Sequence, residues 1–307
     1  MSRMATADDA RRQWEEELER FRGQSHTPWK DAWIAFSANK LALVGSVIVA
    51  FFVLAAAIGP YVAPSSYSAQ NLSAAYEKPL SQGHLLGTDD FGRDILSRLL
   101  TAIRISILLG MGTTAIALLI GTVAGLLAGY YGGRTDRFIN GLVELAWGFP
   151  LILIAVIITG AVGPGLTAVV VAVIVLNWAA FARLVRGDST ALRQMEFVLS
   201  ARALGKRDVT IMVRHLLPNL IGSLLVMGSY YVAVVILVEA GLSFIGMGAQ
   251  PPLPSLGNMV AEGADYLFTY PWISAVPATV IVLLVLGLNV LGDGLRDILD
   301  PRVARER

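Results

Sequence analysis

Residues 197–219, FVLSARALGKRDVTIMVRHLLPN, form a long polar stretch between two uncharged runs, 166–182 and 220–238, that are each long enough to cross a bilayer. The stretch contains five basic residues, of which the histidine is only conditionally charged: Arg202, Lys206, Arg207, Arg214 and His215. Because loops rich in Lys and Arg face the cytoplasm, we predict that this stretch is cytoplasmic. We interpret it as a pair of helices that contacts another protein.

The spacing of apolar residues predicts two short helices with a break between them. Phe197, Ala201 and Leu204 recur at helical intervals, and Gly205 can take the positive φ that ends a helix. Asp208 follows as a candidate N-cap of the second helix. The apolar positions of that helix repeat the spacing: Val209, Met212, Val213 and Leu216. An amphipathic helix resting on the membrane surface fits the same pattern.

The composition places the chain in a membrane and excludes several other classes of protein. Of its 307 residues, 55% are hydrophobic and 15% charged, which is more apolar surface than a soluble fold of this size can bury. The absence of cysteine excludes disulfides and thiolate chemistry. Three scattered histidines predict no metal site, and no basic arm with interleaved aromatic residues suggests nucleic-acid binding.

The apolar runs predict six membrane-spanning helices in an all-α protein. A polar segment, 1–40, precedes an uncleaved first span at 41–62, and 63–102 is predicted to be an external loop that ends in a short helix. We expect five further spans within 103–301, with a loop at 186–219 and a tail at 302–307. Their approximate bounds are 104–134, 138–162, 166–182, 220–238 and 272–291.

Charge and glycine patterns refine this topology. The predicted inner segments hold 20 Lys and Arg residues against 4 in the outer ones, which predicts cytoplasmic termini. Gly121, Gly125 and Gly129 recur every fourth residue and can form a close-packing face, although membrane helices also tolerate glycine without such a role.

Two carboxylates fall within the predicted spans, near helix ends. We expect Glu144 to be structural and neutralised by Arg137, since both are near the cytoplasmic end of their span. Glu239 closes the fifth span on the outer side, and with Ser243 it is our candidate for the pathway or gate.

The polar stretch resembles the EAA loop of ABC importer permeases, a cytoplasmic helix that docks into an ATP-hydrolysing subunit. The resemblance lies in Ala201-Arg-Ala-Leu-Gly205 followed by His215-Leu-Leu-Pro218-Asn219, with Ser200 where the family usually has glutamate. It implies these coupling residues: Phe197, Ser200, Ala201, Arg202, Ala203, Leu204, Gly205 and Arg207.

Three further strings resemble the peptide and nickel branch of that family. HLLGTDDFGRDILSR at 84–98 is similar to its external motif, GMGAQPP at 246–252 to an outer segment, and GDGLRDILDP at 292–301 to its ending. The external motif comprises Gly87, Thr88, Asp89, Gly92, Arg93 and Asp94.

The resemblance implies a type I ABC importer permease in the bacterial inner membrane, forming half of a pathway for di- or oligopeptides. It also implies membrane lipid around the chain, a homologous second permease, two ATP-binding subunits that hold ATP and Mg, and an extracytoplasmic substrate-binding protein. The chain itself is expected to bind no cofactor and to catalyse no reaction, because it has no phosphate-binding loop: Gly205-Lys206 is followed by Arg207. Nickel chelates or glutathione are alternative cargoes.

Two other classes of function are weaker. A secondary transporter expects ion-coupling carboxylates near mid-membrane and usually an internal repeat, and we see neither. A membrane hydrolase lacks a nucleophile, base or metal constellation, since Ser243 has Ile245 where a nucleophile elbow requires glycine.

Overall fold

The computed structural model describes residues 36–299 except 38 and 82, and these residues are almost entirely helical. Most of the predicted segment 1–40 and the whole of the tail 302–307 lie outside them. The helices are α1 (Lys40–Val62), α2 (Ile95–Tyr131), α3 (Gly133–Trp147), α4 (Leu151–Val162), α5 (Leu166–Leu192), α6 (Glu196–Ala203), α7 (Asp208–Ile211), α8 (Leu217–Phe244), α9 (Leu256–Ala264) and α10 (Trp272–Leu299). A 3₁₀ turn at Leu72–Ala74 lies in the loop after α1, and a π-helical turn at Met212–Leu216 joins α7 to α8.

Among the described residues, five helical segments are long and apolar enough to cross a membrane, and a sixth crossing is formed if α3 and α4 count together. The prediction of one continuous helix over 138–162 is wrong, because α3 and α4 meet at 87°. The break lies at Gly148-Phe149-Pro150. Proline supplies no amide hydrogen and disfavours helical backbone in the residue before it, so the helix ends there.

The glycine face predicted on α2 packs against α5. A Cβ atom on Gly121 would lie 2.4 Å from the carbonyl oxygen of Trp178, and one on Gly125 would lie 2.6 Å from that of Ala182. Neither position has room for a larger side chain. This confirms that the repeat serves close helix packing.

Apart from α3 and α4, which both contact α5, the other long helices pack around α2 and α10. α2 also contacts α8 and α1, whereas α10 packs against α1, α8 and the short external helix α9. An ion pair joins α3 to α5, with Arg186 Nη2 2.8 Å from Asp136 Oδ2. The helices therefore bring together side chains that are far apart in the sequence.

Candidate functional sites

The loop at 186–219 folds into the two short helices predicted for it. α6 ends at Ala203, and Gly205 has φ +71° between α6 and α7, which confirms the predicted break. The prediction that Asp208 is the N-cap of the second helix is wrong, because Arg207 occupies that position with extended backbone. The Asp208 carboxylate instead accepts a hydrogen bond of 2.7 Å from Tyr130 Oη at the end of α2.

The inner face of this loop differs from the apolar stripe predicted from spacing. Ala201 is buried, but its buried neighbour on α6 is Val198, whereas Phe197 and Leu204 are 41% and 78% exposed. Val198 and Ala201 pack in a cluster with Ile211. The periodicity identified the helix correctly but placed its buried face about one residue off.

The outer face of the loop is apolar and basic, and no described residue covers it. Of the predicted coupling residues, every one except Ala201 is exposed: Phe197, Ser200, Arg202, Ala203, Leu204, Gly205 and Arg207. Further exposed apolar side chains extend the patch: Met195, Leu199, Val209 and Val213. A contiguous apolar surface with charged residues among it is typical of a protein contact. We call this the coupling face.

Polar contacts fix the loop to the end of α2. Arg193 Nη1 donates to the carbonyl oxygens of Gly129 and Tyr130 at 3.3 and 3.2 Å, and the Arg202 guanidinium lies 5.2 Å from the Tyr130 ring centroid. A cleft of about 590 Å³ lies among these groups and Asp208. These contacts therefore join the loop to the end of α2.

The π-helical turn links the loop to α8 without a break. Leu217 N donates to Met212 O, five residues earlier, and Pro218 follows with no amide hydrogen to donate. A proline after several helical residues is accommodated by such a widened turn. α7, this turn and α8 therefore form one span, Asp208–Phe244.

The external motif builds a tight loop ahead of α2. Gly87 and Gly92 have φ of +79° and +67°, and a Cβ on Gly92 would lie 1.8 Å from Asn71 O. The buried Thr88 hydroxyl donates to Ala74 O at 2.5 Å. Asp94 caps α2 by accepting from Ser97 N at 2.8 Å. Each of these residue types is explained by the local backbone.

Asp89 is the centre of a buried charge network. Its Oδ1 accepts from the Arg93 amide at 2.9 Å, and its Oδ2 accepts from Arg93 Nε at 2.6 Å and from Arg98. Arg98 also contacts both carboxylate oxygens of Glu262 on α9, at 2.8 and 3.1 Å. Burial and the neighbouring Asp89 carboxylate raise the pKa of Asp90. The motif thus fastens the external loop and α2 to α9.

Glu239 is fully buried and surrounded by hydroxyl groups. Its Oε1 accepts from Ser243 Oγ at 2.7 Å and its Oε2 from Ser106 Oγ of α2 at 3.4 Å, while the Ser255 hydroxyl at the start of α9 lies near it. No cation pairs with it among the described residues. In this conformation the two candidate gate residues, Glu239 and Ser243, join α2, α8 and α9 and do not line an open channel.

Glu144 has a different partner from the one predicted. It is exposed, and its carboxylate accepts from Asn140 Nδ2 at 2.6 Å. Arg137 turns back to the carbonyl oxygen of Gly133, 3.4 Å away. The predicted Arg137–Glu144 pair is therefore wrong, since Arg137 has a closer acceptor on the preceding helical turn.

Comparison with known proteins decides the family of the chain. The family profile described as "Binding-protein-dependent transport system inner membrane component" matches residues 121–305, more than half of the chain. The chain belongs to this permease family. A second profile, the N-terminal TM domain of oligopeptide transport permease C, matches residues 27–79 of the permease.

Several curated relatives match the permease over nearly its whole length. The oligopeptide transport system permease protein OppC of Bacillus subtilis is 38% identical over 94% of both chains. The dipeptide transport system permease protein DppC of Alkalihalophilus pseudofirmus is 39% identical over 90% of the permease and 91% of that protein. The glutathione transport system permease protein GsiD of Pectobacterium atrosepticum is 40% identical over 90% and 92%, respectively.

A solved structure confirms the predicted fold class. The inward-facing MetNI methionine ABC transporter contains a chain that matches with a TM-score of 0.52 at 20% identity, covering 65% of the permease and 95% of that chain. The permease is therefore an all-α, multi-pass inner-membrane protein with the type I fold of ABC importers.

Proposed function

We propose that the permease forms half of the membrane pathway of an ATP-driven importer of short peptides, which an external binding protein delivers. The observation that supports this most directly is the coupling face, an exposed apolar and basic surface on two short helices. The assembled transporter has two ATP-binding subunits, which hold ATP and Mg, and one of them contacts this face. A homologous permease supplies the other half of the pathway. The predicted coupling residues other than Ala201 are exposed, while the loop behind them is anchored to α2, as a transmitting element requires.

The anchoring contacts suggest how movement of the ATPase reaches the membrane helices. The Tyr130–Asp208 hydrogen bond and the two Arg193 contacts connect the loop to the end of α2. α2 in turn packs tightly on α5 through its glycine face. A displacement of α6 is thus passed to α2 and α5 together, because interiors packed at this density do not deform gradually.

Short peptides are the cargo that the relatives favour, since their printed names include oligopeptide and dipeptide transport. Glutathione, itself a peptide, is the alternative favoured by a relative of similar identity. Nickel chelates remain a cargo implied by the sequence resemblance alone. Selection among these cargoes rests largely with the external receptor.

The competing function is ion-coupled transport, and Glu239 is the residue whose surroundings distinguish it from the proposed function. Coupling sites in such proteins combine intramembrane carboxylates with unwound backbone near mid-membrane. Glu239 lies in a continuous helix near its end, and its neighbours are hydroxyls. Its surroundings favour a structural or gating role.

Reconstitution separates these two functions. Proteoliposomes containing the permease, its partner permease and the ATPase subunits should take up radiolabelled dipeptide only with ATP and the binding protein, and uptake should survive ionophores that collapse proton and sodium gradients. Uptake by this chain alone, driven by an ion gradient without ATP, would overturn the proposal.

A further inference from the structure

A cleft of about 690 Å³ opens between α5, α8 and α10, in the half of these helices that is nearer the loop at 186–219. Most of its lining comes from 222–231 of α8 and 289–296 of α10. A Cβ atom on Gly292 would lie 2.7 Å from Ser229 Oγ and 4.0 Å from the amide nitrogen of Tyr230. The charged residues of α10 and the apolar residues of α8 in this cleft therefore lie at the same depth.

The polar side chains of the cleft have no hydrogen-bond partner among the described residues. Six of them line it: Ser223, Tyr230, Tyr231, Asn289, Asp293 and Arg296. Two of the six carry opposite charges, yet Asp293 and Arg296 form no ion pair with each other or with another described residue. By contrast, Asp297 on the same helix accepts from Asn39 Nδ2 at 3.1 Å. A ligand that satisfies the cleft carries a cation, an anion and further hydrogen-bonding groups.

The spacing of the two charges fits the two ends of a dipeptide. Asp293 and Arg296 are three residues apart, which places their Cβ atoms about 5–6 Å apart on one helix face. The ammonium and the carboxylate of an extended dipeptide are separated by about 6 Å, since they flank two Cα atoms. Both ends can therefore be paired at once. The volume of the cleft is also typical of pockets that hold small molecules.

The rest of the lining combines apolar and neutral polar groups at the level of the charges. Val226 and Met227 are half-buried and can pack against the side chains of a peptide. Ser223 and Asn289 can exchange hydrogen bonds with its amide group. A hydrocarbon chain would leave these polar groups without partners, and an inorganic ion would leave the apolar ones without contacts. A short peptide meets both kinds of group.

We propose that this cleft binds a zwitterionic dipeptide during import, with its ammonium at Asp293 and its carboxylate at Arg296. The inference rests on the proposed function, in which short peptides are the cargo. Both residues belong to the string GDGLRDILDP at 292–301. This string is thereby given a role in recognising the free ends of the cargo, so that selection is shared between the permease and the external receptor.

Saturation-transfer NMR of the purified transporter complex in nanodiscs, without the binding protein, tests the cleft. Dissociation constants would be measured for alanylphenylalanine, its N-acetyl derivative and its C-terminal amide. We expect the parent to bind the zwitterion about three- to fivefold more tightly than either derivative, as is typical of partly solvated ion pairs. Asp293→Asn should lose only the discrimination against the N-acetyl derivative, and Arg296→Gln only that against the amide. A general disturbance of the fold would weaken all three ligands alike.

Asp297→Asn is the matched control, because it removes a carboxylate from the same helix end outside the cleft, and it should leave all three constants unchanged. ATP-driven uptake of alanylphenylalanine, with the binding protein added, would be measured on the same preparations. Uptake together with one ligand preference shared by the parent, Asp293→Asn and Arg296→Gln would overturn the site and leave the proposed function standing. The expected binding pattern without ATP-driven uptake would support the site and overturn the proposed function.

Discussion

At the scale of single residues, the coupling loop, residues 186–219, contains two kinds of residue. Some are buried and hold the loop together, whereas others are exposed and available to a partner. Ala201 is buried in the permease itself, whereas Leu204 is 78% exposed in the same short helical region. Both had been predicted to belong to one stripe. Only Leu204 can therefore report on docking, because a change at Ala201 also disturbs the loop.

Leu204→Asp should detach the ATPase subunits while the permease remains inserted and folded. A carboxylate placed on the coupling face would be buried without a partner on docking. Affinity purification through the permease, with quantification of copurified ATPase, measures the effect, and we expect at least a tenfold loss. Phe268→Asp is the control, since Phe268 is fully exposed elsewhere. Full ATPase stoichiometry with Leu204→Asp would contradict the docking assignment.

Glu239→Gln should alter transport without making the remaining uptake depend on a proton or sodium gradient. Glutamine keeps the shape and can still bond to Ser106 and Ser243, so the variant should fold. Glu239→Ala removes every one of these contacts and should cost roughly 1–3 kcal/mol of stability. Thermal unfolding of both variants measures the loss of stability, and uptake assays in the presence of ionophores measure whether the remaining transport depends on an ion gradient. Unaltered transport by both variants would exclude a gating role.

At the scale of helices, close approach and local backbone geometry explain several residues whose roles the sequence left open. The bend between α3 and α4 has its cause in the string Gly148-Phe149-Pro150, which was visible from the start. The angle of 87° between α3 and α4 could not be read from the sequence, because it depends on how α4 packs against α5. The Asp136–Arg186 ion pair likewise joins two helices whose contact only the fold defines.

Gly121→Leu should disrupt the packing of α2 on α5. A Cβ atom alone would lie 2.4 Å from Trp178 O, so the helices must separate. We expect a loss of stability of about 1–3 kcal/mol or a failure to fold. Gly112→Leu is the control on the same helix, since nothing lies within 4 Å of a Cβ there. Detergent thermal-shift measurements that show equal melting temperatures for the two variants would contradict the assignment.

At the scale of the whole molecule, two sets of polar contacts among the described residues join helices on the side of α9. Arg98 of α2 contacts Glu262 of α9, and Glu239 of α8 bonds to Ser106 of α2 and lies near Ser255 at the start of α9. On the opposite side, the coupling loop is fastened to α2 through Asp208 and Arg193. α2 therefore connects both ends of the molecule, which makes it the element through which the two sides can communicate.

Labelling of single cysteines tests the orientation of the chain, which the charge count predicts. The chain contains no cysteine, so each introduced thiol is unique. Thr269→Cys should react with a membrane-impermeant maleimide at the outer face, and Ala203→Cys should not, because both positions are exposed but lie at opposite ends of the spans. Thr269→Cys in inverted vesicles is the control. Reversed labelling would invert the topology.

The sequence by itself determined the membrane class, the all-α fold, the approximate positions of the apolar segments and the presence of two short helices in the polar loop between α5 and α8. These features depend on local properties: the length of apolar runs, the spacing of glycines and the residues that end helices. Only the tertiary structure decided which face of α6 is exposed. It also decided that Glu239 is buried among hydroxyl groups and that Arg98 contacts both Asp89 and Glu262. Those outcomes depend on which helices become neighbours, and a helix periodicity defines a face without defining what covers it.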